Sequence, residues 1–347
     1  MTLPTPFWNS DYHAGRRDRL LMRGDIVATV RAFFSTQSFI EVEPAILQIS
    51  PGNETHLHAF ATELKMPSTK PQPLYLHTSP EFALKKLLAA GEKRLLAIVR
   101  CFRNGEFTPL HHPEFTMLEW YRAEEYYSVL MMDCADLVRA VAVKSGCVQF
   151  HWRGKTCDPF LDFERLSVAQ AFKKYANIDI LATLNPEPDL PGLWAQAQNI
   201  GIRLSGDDTW SDIFSKVLSE RVEPNLGEGR LTILDEYPSC EAALARKSLV
   251  DPRVSERFEL YACGIELANG FGELTDPLEQ RCRFEHEMAE KRRIYNEHYP
   301  LDEDFLSALQ SMPPASGIAL GLDRLIMLCT GATDIRDVLW TPMAVPE

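Results

Sequence analysis

The chain lacks any apolar run of the ~18 residues that a membrane span requires. Its longest apolar stretch, residues 316–328, is interrupted by Asp323 and Arg324, so the GxxxG spacing of Gly317 and Gly321 is no membrane dimer motif. The eight cysteines include no CxxC pair, which excludes the common zinc and thiol-redox frameworks and fits reduced thiols. Positive charge is also scarce: 36 Lys and Arg face 49 Asp and Glu, a net charge of −13. The only dense basic cluster, Arg16, Arg17, Arg19 and Arg23, falls on a helix and reads as its solvated face. Nucleic acid is therefore not the expected partner. The first residues, MTLPTPFWNSDYHAGRR, carry no apolar stretch behind positive charge, so no signal peptide is expected and a cytoplasmic location is. Repeats and low-complexity segments are absent. What remains is a chain long enough for one large core or two modest ones, with the composition of an ordinary enzyme.

The most informative stretch is residues 95–121, LLAIVRCFRNGEFTPLHHPEFTMLEWY. Alternation with period two puts Leu95, Ala97, Val99, Cys101 and Arg103 on one face of a first strand. Phe115, Met117, Glu119 and Tyr121 share a face of a second strand, and a polar loop with Glu106, His111 and His112 joins the two. Charges at strand ends are more often solvated or paired than functional. A second signal shifts that balance: residues 316–328, SGIALGLDRLIML, read as a strand, a turn at Gly321 and an apolar helix carrying Arg324. A guanidinium in such a run is costly unless paired, and Asp323 is the plain structural partner for it.

Together these stretches resemble motifs 2 and 3 of the class II aminoacyl-tRNA synthetases, with wording most similar to the lysyl branch. The resemblance covers about residues 16–331. It implies an α+β fold, the class II synthetase catalytic core, in which an antiparallel β-sheet is flanked by helices. Residues 16–39 predict a helix through Leu20, Leu21, Ile26, Val27, Val30, Phe33 and Phe34. Residues 40–47 predict a strand whose Pro44 implies an edge or an interface. That pair is similar to motif 1, the dimerisation element, so a homodimer is expected. Residues 1–15 read as an N-terminal extension and 16–347 as a single catalytic domain. Around 151–229 a helical insertion is expected, with helices near 168–175 and 210–221 flanking the turn-rich NPEPDLPGL.

Between motifs 1 and 2, His56 and His58 lack a third metal ligand and read as structural. Residues 74–77 predict a strand, and Thr78 or Ser79 a cap for the next helix, with Pro80 in its first turn. Glu81 then lies at the positive end of the helix dipole, where a carboxylate is at ease for structural reasons. The resemblance adds that Ser79 and Glu81, in SPE, match the lysyl-branch segment that holds the substrate's α-ammonium. A helix is predicted over 128–144. In GIELANGFGELTD, Glu266 and Glu273 would stand about 23 Å apart on opposite faces of a straight strand. A two-residue hairpin at Asn269-Gly270 would instead oppose them directly. The residues leave both open, and the plain structural reading of the hairpin is a solvent-exposed one with unpaired acids.

Joining a carboxylate to the α-phosphorus of ATP needs no general base, only in-line positioning and neutralised charge. The resemblance makes Arg103 the contact to carboxylate and α-phosphate and Arg324 the contact to the γ-phosphate of a bent ATP. It adds Asn104, Gly105, Glu106, His111, Glu266, Leu267 and Gly321 to the ATP set, and Glu266 and Glu273 as holders of Mg²⁺. Glu119 and Tyr121, with Ser79, Glu81 and Glu273, would hold a substrate bearing two ammonium groups. Relatives often read FRNEE, whereas here Gly105 replaces a carboxylate that helps read adenine, and Pro109 stands where some carry arginine. Adenine contacts are thus less well defined than phosphate contacts, and Glu106 is the available substitute.

Lysyl-tRNA synthetases place an anticodon-binding OB domain before this core, for which a motif 1 near Arg16 leaves no room. The chain is therefore most similar to the elongation factor P lysine ligases, a paralogous group. These transfer activated lysine, preferably the β isomer, to a lysine side chain of that factor, which makes tRNA an unexpected partner. Ala319 stands where lysyl-tRNA synthetases tend to have glycine, a sign of an altered substrate pocket. The alternatives are a truncated tRNA-charging enzyme, a free-standing amide-forming ligase and a non-catalytic paralogue. The last is disfavoured because both motif arginines and the acidic set persist.

Overall fold

The computed structural model describes residues 5–185 and 187–344. The ends of the expected extension (1–4) and of the expected domain (345–347), and Pro186 in the linker, lie outside the described residues. Eight strands form the main sheet: β1 (Ile40–Glu41), β2 (Arg94–Phe102), β3 (Glu114–Ala123), β4 (Glu164–Ser167), β5 (Thr232–Pro238), β6 (Val254–Ala262), β7 (Ile265–Gly272) and β8 (Ala315–Gly321). Their spatial order is β1-β2-β3-β8-β7-β6-β5-β4. The six central strands are antiparallel, as expected, while both edge strands join in parallel, so the sheet is mixed. Each parallel edge is reached through a long connection, which a hairpin could not provide.

In the β2–β3 hairpin Leu95 lies opposite Tyr121, Ala97 opposite Glu119 and Cys101 opposite Phe115, so the two expected faces fall on one side of the sheet. Leu96, Leu118 and Trp120 point the other way, into a core closed by helices α1 (Ser10–Ser35), α3 (Ser128–Ser145) and α9 (Leu322–Thr330). The face holding Leu95, Ala97 and Tyr121 is covered by α2 (Glu81–Ala89), α7 (Pro277–Tyr295) and α8 (Glu303–Leu309). Phe82 stacks on Phe305 there at 4.2 Å between ring centres. Helices α4 (Val168–Ala176), α5 (Leu190–Asn199) and α6 (Trp210–Val217) build a core of their own. Phe172, Phe214 and Trp210 stack in it, and it meets the sheet at Leu234, Tyr237 and Tyr261. The 151–229 stretch is not purely helical, since it also supplies edge strand β4.

Three local expectations are corrected. Helix α1 starts at Ser10, not 16, because Asn9 accepts from the backbone N–H groups of Asp11 and Tyr12. The strand expected over 40–47 is broken into β1 and a separate pair, Leu47–Gln48, with Pro44 in the gap. Helix α2 has Pro80 itself at its cap position, while Ser79 Oγ accepts from Glu81 N.

The basic cluster on α1 is only partly a solvated face: Arg17 is exposed and Arg19 half-buried, but the other two are inside. Arg16 is 1 % and Arg23 6 % exposed, because both lie on the stripe with Leu20, Ile26, Val30 and Phe34. Arg16 donates to the carbonyls of Arg336, Leu339 and Trp340. Arg23 pairs with Asp323 and donates to Thr116 Oγ1 at 2.6 Å. Asp323 also accepts from Thr116 N at 2.7 Å. It is therefore taken by Arg23 and is not the partner of Arg324. Truncating one member of a buried pair strands the other, so Asp323→Ala should cost ~3–5 kcal/mol. Urea unfolding measures this; a loss below ~1 kcal/mol, the range of surface pairs, would show the contact to be peripheral.

Candidate active site

Small residues beside large polar ones open the floor of the site. Ala319 and Gly317 of β8 lie beside Glu119 and Tyr121 of β3. A Cβ at Gly317 would collide with the Tyr121 ring and with Glu273, so only glycine lets these two approach over the strand. Ser79 Oγ donates to Glu119 Oε1 at 2.6 Å, and Tyr121 donates to Glu119 Oε2 at 2.9 Å. Lys85, one turn along α2, pairs with Glu81 and stands 2.5 Å from Glu273 Oε2. That contact is short but poorly aligned, and neither Glu273 oxygen has a hydrogen-bond donor.

Two carboxylates, Glu81 and Glu273, thus share one buried ammonium, while Glu119 is held by hydroxyls alone. Burial opposes the charge of Lys85, but Glu273 and Glu81 overcome it and hold its pKa above the usual range. Burial, then the charge of Glu81, pushes Glu119 up to about 8. Burial pushes Glu273 to about 7, with Lys85 pulling down and Glu81 pushing up. A buried acid surplus with orphaned oxygens is short of cationic donors. Such a surplus suits a ligand that carries ammonium groups.

Above this floor lies a cavity of about 300 Å³ whose wall includes Ser79, Glu81, Arg103, Glu266 and Arg324. Arg103 lies against the Phe115 ring, 5.2 Å from its centre, and donates weakly to Thr78 O at 3.4 Å. Among the described residues it has no ion pair, so its charge is free for an anion. Arg324 Nη1 donates to the Glu266 carbonyl at 2.8 Å, and Nη2 to His111 Nε2 at 2.7 Å. An arginine cannot accept, so His111 Nε2 must be the bare nitrogen, with the proton on Nδ1 toward Thr108 Oγ1, 2.7 Å away. Burial and Arg324 lower the His111 pKa accordingly.

The cavity brings together most of the expected residues, but not all. Ser79, Glu81, Arg103, Glu106, His111, Glu266, Leu267, Gly321 and Arg324 line it. Glu119, Tyr121 and Glu273 lie beneath, each 3 % exposed or less. Asn104 and Gly105 are turned to solvent in the loop, where Gly105 serves a φ of +83°. His56 and His58 bond Tyr295 and Glu297, in keeping with structural roles.

The pairing of Glu266 with Glu273 for a metal is not what the structure shows. Strand β7 runs straight through Asn269-Gly270, paired on both sides, with no hairpin. Its irregularity is a bulge at Leu267, opposite Leu260 and Tyr261. Glu273 is thus carried past the end of the strand, to Lys85. The carboxylate that shares the cavity with Glu266 is Glu259, on adjacent β6. Burial, then Glu259, raises the Glu266 pKa, while Arg324 pulls it down. Glu259 is held by Tyr261, Tyr237 and Arg257, at 2.5, 2.6 and 2.7 Å. The signal was present: RFELY puts Arg257, Glu259 and Tyr261 on one face of an apolar strand. Glu54, Asn269 and Phe271 are further wall residues that the motifs did not single out.

The antiparallel core bears a free arginine on a hairpin, a second arginine on the helix after β8 and a pair of acids between them, the arrangement expected from the class II resemblance. The family described as tRNA synthetases class II (D, K and N) matches residues 11–344, and the chain belongs to that family. It is similar to the lysine–tRNA ligase of Pelotomaculum thermopropionicum, 35% identical over 94% of this chain and 63% of that protein. It is also similar to the elongation factor P–(R)-beta-lysine ligases of Haemophilus ducreyi (38% identical, 92% of each chain) and Sodalis glossinidius (39%, 92% of this chain and 93% of that one).

The acid surplus has two measurable consequences. A cationic ligand binds the ionised acids, so its affinity should fall as pH drops through about 8 and then 7, the raised values of Glu119 and Glu273. The KM for lysine against pH tests this, and a flat profile would contradict it. With its pKa raised, Glu119 favours the fold while protonated and loses that contribution as pH rises through about 8. Glu119→Gln should therefore raise the melting temperature at alkaline pH while removing lysine use. A variant that melts lower and keeps lysine use would overturn the assignment.

Proposed function

We propose that the protein activates lysine, in its α or β form, with ATP as an aminoacyl-adenylate and transfers it to a lysine side chain of elongation factor P. The observation that carries the reading is the acid set Glu81, Glu119 and Glu273, short of cations, directly below a cavity holding two arginines. Its floor suits a diamine and its roof suits phosphates. The full-length likeness to ligases named for elongation factor P supports the acceptor.

The substrate's ammonium groups are received by Ser79, Glu81, Glu119 and Glu273, which fixes its carboxylate toward Arg103. That carboxylate is already ionised, so the chain has only to align it and neutralise charge at phosphorus. Arg103 provides the cation beside the reacting centre. Arg324, locked by His111 and the Glu266 carbonyl, provides a second for the far end of the triphosphate. Glu259 and Glu266, two acids on one wall with arginines around them, fit Mg²⁺, which takes one or two carboxylates and completes its shell with phosphates and water. When bound, it would neutralise phosphate charge.

The reading includes a homodimer in the cytoplasm. Ile40, Ile46, Leu47 and Ile49 expose 40–63% of their surface beside the motif 1 region, an apolar patch that a second copy would cover. Ile49→Asp should yield monomers by light scattering, and an unchanged dimer would place the interface elsewhere.

Arg103→Ala and Arg324→Ala should each lose ~3–4 kcal/mol of barrier lowering, about 10²–10³-fold in lysine-dependent pyrophosphate exchange, while staying folded. Folded variants with full exchange would sink the assignment. The acceptor is tested with labelled lysine or β-lysine, ATP and Mg²⁺, offering total tRNA and elongation factor P together. RNase-resistant label establishes the protein acceptor; RNase-sensitive label would establish tRNA charging instead.

A further inference from the structure

A second cavity, about 480 Å³, adjoins the first. The two share Glu54, Leu57, Arg257, Asn269 and Phe271. From that junction the second runs between Thr209–Asp212 at the start of α6 and His286–Glu290 of α7, and exposed Cys240 and His286 place its far end at the surface. Activation consumes lysine and ATP, and the first cavity holds the groups for both. The transfer step needs a third reactant, and the second cavity offers it a route to the first from the surface.

The second cavity is charged in one sense. Its wall carries Glu54, Asp212, Glu241, Glu287 and Glu290. The two arginines there are spent: Arg257 is 2.7 Å from Glu259 and Arg293 is 2.8 Å from Glu290. Such a wall repels the phosphates of a nucleic acid strand and draws in a cation. Glu54 is the decisive residue, because it lines both cavities and no hydrogen bond reaches its carboxylate among the described residues. It is half-buried, so its carboxylate is open to a ligand.

We propose that the second cavity is the entry passage for the acceptor amine: a lysine side chain on a loop of the acceptor protein passes between α6 and α7, and Glu54 receives its ammonium beside the adenylate. This rests on the reading that the acceptor is a lysine side chain. The ammonium must lose one proton before its nitrogen can attack the adenylate carbonyl carbon. The carbon–oxygen bond to phosphate then breaks, AMP leaves with that electron pair, and the new amide nitrogen releases a second proton to water. Glu54 is placed to take the first. Burial pushes its pKa to about 7; Arg103 from the hairpin and Arg257 from β6 pull it down, and Glu81 from α2 and Glu287 from α7 push it up. A base near neutrality suits that proton.

The test compares two half-reactions in the full-length enzyme. Ser211→Trp fills the passage, and Glu290→Lys reverses charge on its rim without touching the first cavity. Both should keep lysine-dependent pyrophosphate exchange within about twofold and raise the KM for elongation factor P by about tenfold or more. Glu54→Gln should slow single-turnover transfer from preformed adenylate and flatten its fall below pH ~7. Unchanged acceptor KM in both passage variants, or exchange falling in step with transfer, would overturn the passage. Wild-type enzyme that labels tRNA and not elongation factor P would instead overturn the underlying acceptor reading, so the two failures are distinct.

Discussion

The carboxylate of Asp323 is the point at which the three segments of the catalytic core are joined. It lies at the start of α9, takes the Arg23 guanidinium from α1 and accepts the backbone N–H of Thr116 from β3. All three groups are buried, so none can turn to water if the contact is broken. The consequence for chemistry is positional. The residue after Asp323 is Arg324, and fixing the first turn of α9 fixes where that guanidinium enters the cavity. The same helix α1 also clamps the chain end through Arg16, so one buried stripe ties the N-terminal, hairpin and C-terminal segments together.

Beneath the cavity the design is reversed: charge is left unbalanced. Glu81 and Glu273 share Lys85, Glu119 has only hydroxyl partners, and the two oxygens of Glu273 have no hydrogen-bond donor. A fold optimised only for stability would pair or replace these acids. Keeping them costs stability in the empty protein and makes a cationic ligand complete the core. Rigid small residues, Gly317 above all, hold the acids close enough for one ligand to satisfy them together. The acidic wall of the second cavity extends the same principle outward, from the substrate's amine to the acceptor's.

Some of this was legible in the chain. Alternation in 95–121 gave the hairpin and which side chains share its faces, because a strand's period of two leaves no freedom about that; its register came from the pairing of the two strands. Arg324 was recognisable as an expensive charge in an apolar run. Arg16 and Arg23 were misread from charge density, although their spacing with Leu20, Ile26 and Val30 placed them on the buried stripe; composition hid what periodicity contained. Glu259 belongs to no motif, and only the period-two face of RFELY, with Arg257 and Tyr261, marks it. Pro44, expected inside an edge or interface strand, instead falls in the gap between Ile40–Glu41 and Leu47–Gln48.

By itself the sequence determined the local order: which segments are strands or helices, which faces are apolar, and that two arginines and several acids are held against a core. Those follow from backbone period and the cost of burying charge, both written residue by residue. The tertiary structure decided the pairings. Asp323 serves Arg23, some 300 positions away, and not its neighbour; Glu266 shares a cavity with Glu259, and Glu273 goes to Lys85. Sequence spacing cannot choose among such partners, because the choice depends on strand order and on one bulge at Leu267, which are set only when distant strands pair.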